Sequence, residues 1–202
     1  MEQFGIVEGI AAPMPAANVD TDVIMPKQFL KGIDRSGLGD GTFHGLRFGP
    51  NGEERAEFVL NRPEWRTASF LVVGPNFGCG SSREHAVWGL RQLGIRALLG
   101  TSFAGIFFDN CARNGLLALT LDHDAVRSLT DLASDPATAK LTVDLPRQSI
   151  TAVNGKRFAF DIEPARKEAL ELGLDGVATT LRFRDDILAF ERDYLEQSPW
   201  LM

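Results

Sequence analysis

Cysteine is scarce in this chain of 202 residues: Cys79 and Cys111 lie far apart. Neither stands in a CxxC or Cys/His ligand pattern, so the sequence presents no self-contained metal site. Basic charge is also in deficit. The formal net charge is -6 and no basic stripe offsets it, which argues against nucleic acid, whose phosphates need a positive field. Long apolar runs are missing too. The opening stretch MEQFGIVEGIAAPMPAANVDTD has no basic residue before Lys27 and no run that fits a signal peptide or a membrane span. The expected location is the cytoplasm, without membrane contact. Neither an internal repeat nor a low-complexity tract is present, which leaves solenoid and linker architectures without support.

What remains is a globular composition, 44% hydrophobic and 24% charged, in keeping with one domain over residues 1–202. SFLVVGP (69–75) reads as a buried strand. HAVWGLRQL (85–93) has apolar residues at the spacing of one helical face, and Gly94 can end that helix. IRALLG (95–100) is a second strand, SFAGIFFDNCARN (102–114) a second helix and LLALTL (116–121) a third strand. This alternation implies a parallel βαβαβ core. KLTVDLP, SITAV and KRFAFDI, over 140–162, read as added antiparallel strands joined by turns such as Asn154-Gly155. PARKEALELG and RDDILAFERDYLEQ then read as two closing helices. The fold class is α/β. The stretch 32–62 is rich in glycine and longer than connections in compact domains usually are, and it is expected to be a mobile loop.

The most distinctive stretch is NFGCGSSREHA, Asn76 to Ala86. A glycine-rich turn leading from a strand into a helix can aim backbone N–H groups and the positive helix end at one anion. Arg83 can add a bidentate grip on a carboxylate, with Ser81 or Ser82 reaching the same ligand. Other readings stay open. Ser81 and Glu84 match a capping box that merely starts the helix. Ser81 could be a nucleophile activated by His85, although no G-x-S-x-G elbow is present. Cys79 could be a thiolate activated at a helix start or a small buried residue between glycines. Nucleotide binding is disfavoured, since the stretch matches neither G-x-x-x-x-G-K-[ST] nor G-x-G-x-x-G.

A second stretch, NVDTDVIMPKQFLK, places Asp20 and Asp22 at a turn before a short strand, where both could simply bond their own turn. On an acidic chain, a carboxylate substrate needs local cations. Lys27, Lys31, Arg35 and Arg83 are the candidates in or near the two stretches.

Together with the tail PARKEALELGLDGVATTLRFRDDILAFE, these stretches resemble the small subunit of bacterial 3-isopropylmalate dehydratase over almost the whole chain. GCGSSREHA is similar to the swivelling domain of the aconitase superfamily, which implies a layered sheet-and-helix domain like the fourth domain of aconitase. The reaction implied is a hydro-lyase isomerisation in leucine biosynthesis. A hydroxyl moves between adjacent carbons, converting 2-isopropylmalate to 3-isopropylmalate through an unsaturated intermediate. On that resemblance Ser81 corresponds to the general base, Arg83 to a substrate carboxylate clamp, and Ser82 and Gly80 to supporting contacts. Asp22 corresponds to an aspartate near the reacting groups and Lys31 to a second carboxylate cation. Where relatives carry an arginine directly after that lysine, this chain has Gly32, and Arg35 could compensate. The resemblance also implies a four-iron four-sulfur cluster as Lewis acid. Two cysteines do not supply the three or four ligands such a cluster takes, so it is expected on a partner large subunit, with no cofactor or metal on this chain. Alternatives within reach are a small subunit acting on a related hydroxy-dicarboxylate of the citramalate or homoaconitate type, a non-catalytic anion-binding module, or a serine hydrolase active alone.

Overall fold

Strand β1 (Ile6–Met14) lies near the middle of the sheet although it comes first in the chain. The sequence reading assigns it no element, because Gly9 and Pro13 interrupt its apolar pattern. The computed structural model describes residues 1–31 and 35–201. After β1 come three short helices, α1 (Thr21–Ile24), α2 (Leu38–Gly41) and α3 (His44–Arg47). The expected parallel unit follows as β2 (Phe70–Val73), α4 (His85–Gln92), β3 (Ala97–Gly100), α5 (Gly105–Arg113) and β4 (Leu117–Thr120). Helix α6 (His123–Ser134) leads into β5 (Lys140–Asp144), β6 (Ser149–Ala152) and β7 (Arg157–Ala159). Helices α7 (Pro164–Leu172), α8 (Gly176–Leu181) and α9 (Arg184–Gln197) complete the chain.

Among the described residues, seven strands form one sheet in the order β4-β3-β2-β1-β5-β6-β7. β1 joins its two halves. It pairs parallel with β2, Ala11 opposite Phe70, and antiparallel with β5, Val7 opposite Val143. The added antiparallel strands therefore extend the parallel core instead of packing as a separate layer.

Strands β2 and β3 are buried at every position, as expected where helices cover both faces of a parallel sheet. Leu71, Val73 and Leu98 point to one face and pack with Val87 and Leu90 of α4 and Phe107 and Cys111 of α5. Phe70, Val72 and Leu99 point to the other and pack with Val126, Leu129 and Ala133 of α6. Helix α6 starts where the Asp122 carboxylate accepts from the Ala125 N–H at 2.7 Å, a standard amino-terminal cap. Burying Val126 and Leu129 contributes roughly 3–6 kcal/mol before the entropy of ordering them.

Of the stretch expected to be a mobile loop, residues 32–34 lie outside the described residues. The rest has structure of its own: Leu38, Phe43 and Leu60 are buried in the core. The Asn61 side-chain amide donates to the backbone carbonyls of Arg47 at 2.6 Å and Arg55 at 2.9 Å, closing the loop on itself. Its apolar anchors are too widely spaced among glycines to give a periodic signal.

Candidate active site

Two segments converge beyond the carboxyl ends of β1 and β2, the place where open parallel sheets bind ligands. The first is α1. Asp20 caps it, accepting from the Val23 N–H at 2.7 Å, so for Asp20 the local-turn reading holds. The short strand expected after it is instead this helix. Asp22, in its first turn, turns elsewhere: its carboxylate meets Arg83 Nη2 at 3.0 Å and Lys27 Nζ at 3.4 Å.

The second segment is the loop from Asn76 to Glu84. Gly78 and Gly80 have φ of +77° and +101°, a region that side chains rarely adopt. Gly78 is fixed twice over, since a Cβ there would strike the Phe107 ring. The loop is bound at several points. Gly78 N–H donates to Val19 O at 2.8 Å, Phe77 N–H to Ser102 O at 3.3 Å, and Ser81 N–H to Thr21 Oγ1 at 2.9 Å. These N–H groups are occupied within the protein, so the cradle expected from the sequence is narrower than a row of free amides.

Helix α4 begins only at His85, and Ser81, Ser82 and Arg83 precede it in a segment without regular structure. The capping box does not form. Ser81 Oγ accepts from Arg83 Nε at 2.8 Å and from the Arg83 N–H at 3.3 Å, while the Glu84 carboxylate accepts from Asn114 Nδ2 at 2.9 Å. The nucleophile reading also fails on geometry. His85 packs against Trp88 with ring centres 4.8 Å apart and tilted, and its buried Nδ1 has no partner among the described residues, so no base is bonded to Ser81. Cys79 lies six positions before α4, so it does not stand at the helix start that the thiolate reading requires.

Ser81, Arg83, Asp22 and Lys27 thus form one connected set, with Ser82 and Gly80 exposed beside it. Lys31 is exposed and makes no ion pair among the described residues; Lys27 is the lysine that joins the set. Arg35 stacks on Trp88 at 4.2 Å and lines a cleft with Glu84, Arg113 and Asn114. Sequence reasoning gave no role at the site to Thr21, Asn110 or Asn114. The signal for the last two was available, since asparagines at i and i+4 on a largely apolar helix face invite the question of what they bond.

The set lies on an open face. Thr21, Asp22, Met25, Leu30, Arg83 and His85 line only a shallow depression, too slight to enclose a dicarboxylate.

The model of the aconitase C-terminal domain matches residues 1–124, and a second model, LeuD_N, matches 127–164. The chain is 57% identical to the 3-isopropylmalate dehydratase small subunit 1 of Mannheimia succiniciproducens, over all of this chain and 99% of that one. It is 50% identical to small subunit 2 of Salmonella choleraesuis, over all of this chain and 96% of that one. A crystal structure of 3-isopropylmalate dehydratase from Methanocaldococcus jannaschii superposes with a TM-score of 0.67 at 26% identity, covering 92% of this chain and 99% of that one. The chain belongs to the family of 3-isopropylmalate dehydratase small subunits.

That family implies an iron-sulfur cluster, and the residues here do not fit one. Cys111 is fully buried in the core, where burial raises its thiol pKa well above the ordinary value, and with Cys79 it makes two cysteines where such a cluster takes three or four. Among the described residues no group of three His, Cys, Asp or Glu side chains is placed to hold a metal ion.

Proposed function

We propose that this chain is the small subunit of a 3-isopropylmalate dehydratase, isomerising 2-isopropylmalate to 3-isopropylmalate by dehydration and rehydration together with a large subunit. The family relationship supports the reaction, and one contact carries the chemistry: Arg83 Nε donates to Ser81 Oγ at 2.8 Å. Removing a proton from carbon next to a carboxylate needs a base, and a serine hydroxyl is far too weak an acid to supply its anion unaided. A guanidinium N–H aimed at that oxygen favours the anionic form in the way that oxyanion donors do. Ser81 is then the general base, receiving the substrate proton on Oγ.

Arg83 also clamps a substrate carboxylate through the part of its fork that Ser81 and Asp22 leave open. Asp22 holds Arg83 and Lys27 in place between them. Ser82 and Gly80, exposed beside them, contact the substrate, and Lys31 at the rim supplies the further cation. A large subunit would carry the four-iron four-sulfur cluster, whose Lewis acidity would assist loss of the hydroxyl, and would supply the opposite wall that this open face lacks. Leu38, Phe43 and Leu60 anchor the loop to the body, which leaves exposed stretches such as 50–57 for contact with the large subunit. No described helix is long and apolar enough to cross a membrane, and the enzyme works in the cytoplasm.

The test is anaerobic reconstitution with the large subunit, following dehydration of isopropylmalate and of citramalate. Turnover is expected only in the mixture, with isopropylmalate preferred. Ser81→Ala is expected to lower kcat by roughly 1,000-fold or more, the scale of losing a general base with its electrostatic support, with subunit association unchanged. Wild-type turnover by Ser81→Ala would remove the base from the reading. Turnover by the small subunit alone would remove the divided site.

A further inference from the structure

The segment that carries Ser81, Ser82 and Arg83 has no regular structure, so its neighbours must set where the serine hydroxyl lies. Thr21 holds it from one side through the Ser81 N–H. The other side belongs to α5. Asn110, only 4% exposed, donates from Nδ2 to the Ser82 carbonyl at 3.0 Å. One turn later Asn114 donates from Nδ2 to Asn110 O at 2.8 Å and to Glu84 Oε2 at 2.9 Å, while its Oδ1 accepts from Trp88 Nε1 at 2.8 Å.

One helix therefore suspends the loop at two points, Ser82 and Glu84. The helix is itself fixed, because its Phe107 and Cys111 are buried in the core beneath the sheet face that also receives α4. Burying an amide is costly unless it is bonded. A buried asparagine whose donor goes to the serine loop is a built contact, and its effect falls on the peptide joining Ser82 to Arg83.

We infer that Asn110 is a positioning residue for the proton transfer assigned to Ser81, an inference that rests on that assignment. Without the Nδ2 donor, the Ser82–Arg83 peptide loses its fixed orientation. Arg83 Nε and Ser81 Oγ then no longer keep their shared geometry. Arg83 is also the substrate clamp, so KM rises along with the fall in kcat, and the isotope effect is the readout that isolates proton transfer.

The experiment uses the reconstituted two-subunit enzyme and isopropylmalate deuterated at the carbon that loses its proton. Asn110→Asp keeps the shape and removes the donor, Asn110→Ser shortens the side chain, and Asn114→Asp weakens the brace at a less buried position. Both Asn110 variants are expected to lower kcat by about 100-fold, the scale of an ångström of misplacement. The primary isotope effect should rise, since proton removal becomes the slower step. Asn114→Asp should show the same signature at about a tenfold loss, within the range that second-sphere contacts command. A fall in kcat with an unchanged isotope effect, or wild-type kinetics in folded variants, would overturn the inference. Should neither Asn110 variant fold, the isotope effect of Asn114→Asp decides alone. Ser81→Ala runs in parallel: if it keeps activity, the base assignment fails, whereas its inactivity beside wild-type Asn110 variants sinks only the positioning role.

Discussion

The body of this molecule and its carboxyl-terminal tail handle apolar residues in opposite ways. In the body, Phe70, Leu98 and Phe107 are at most 1% exposed and helices cover both faces of the sheet. In the tail, α8 and α9 bury no residue at all. Phe183, Ile187, Phe190 and Tyr194, spaced four, three and four apart, fall on one face of the tail helix, and all are exposed. Phe190 and Tyr194 stack on each other with ring centres 5.7 Å apart. The amino terminus offers a further contrast. It too is exposed, yet Glu2 ties it to Arg91 and Arg96, and the terminal amine donates to Gly173 O at 2.7 Å. The difference teaches that amphipathic pattern marks a surface to be covered without saying by what. Within this chain the body buries most of its own and leaves only scattered exposed residues such as Ile6 and Ile106, whereas the tail leaves a patch of the kind that suits another protein surface.

The contrast can be broken or sharpened by substitution. The largest effect is expected in the body. Phe70→Ala should cost about 3–5 kcal/mol in denaturant unfolding of the isolated chain, because the ring is wholly buried and its cavity cannot fill. Loss of less than half that would mean the sheet face collapses around the gap. At the amino terminus the effect is small and depends on pH. Burial acts to raise the Glu2 pKa, but hydrogen bonds and charge from Arg91 and Arg96 outweigh it and bring the net value below the ordinary one. A lowered folded pKa means stability that is present above the unfolded value and lost as pH falls through the folded one. Glu2→Gln should therefore lower stability by no more than about 0.5–1 kcal/mol at neutral pH, since the carboxylate is largely solvated, and by nothing below the folded pKa. A difference that persists in acid would assign the effect to packing. The smallest effect is expected in the tail. Phe190→Ser should leave the melting temperature of the isolated chain unchanged, within the roughly 0.5 kcal/mol of ordinary surface substitutions. A clear drop would place that ring against the body after all.

The parallel core was readable because FLVV, ALLG and LALT are short buried runs, each bounded by turn residues or by a helix with a clear apolar face. The α7 start was readable for a similar reason: Pro164 stands in its first turn, and Gly173, at φ +69°, ends it. Helix α6 escapes notice although Asp122 caps it and Val126, Leu129 and Ala133 share its buried face, because polar residues dilute the run. β1 is illegible locally, since Gly9 makes room for Ser69, a neighbour supplied by tertiary structure. At the site, residue types were readable and partners were not. That Asp22 would meet Lys27 and Arg83, and that Glu84 would bond Asn114 and leave the capping box unformed, depends on how α1, α4 and α5 come together. No local rule encodes those meetings.

The position of β1 has a consequence for how the chain comes to be folded. Synthesised before either partner, β1 sits between the two. One, β2, follows a long loop; the other, β5, arrives only when most of the chain has been made. Such distant pairings close slowly, because the entropy of bringing the ends together comes before any contact rewards it. Until β5 is available, one edge of β1 stays open while its neighbours are already apolar on both faces. The interval between the first strand and its last partner is when this protein is most exposed to pairing with the wrong chain.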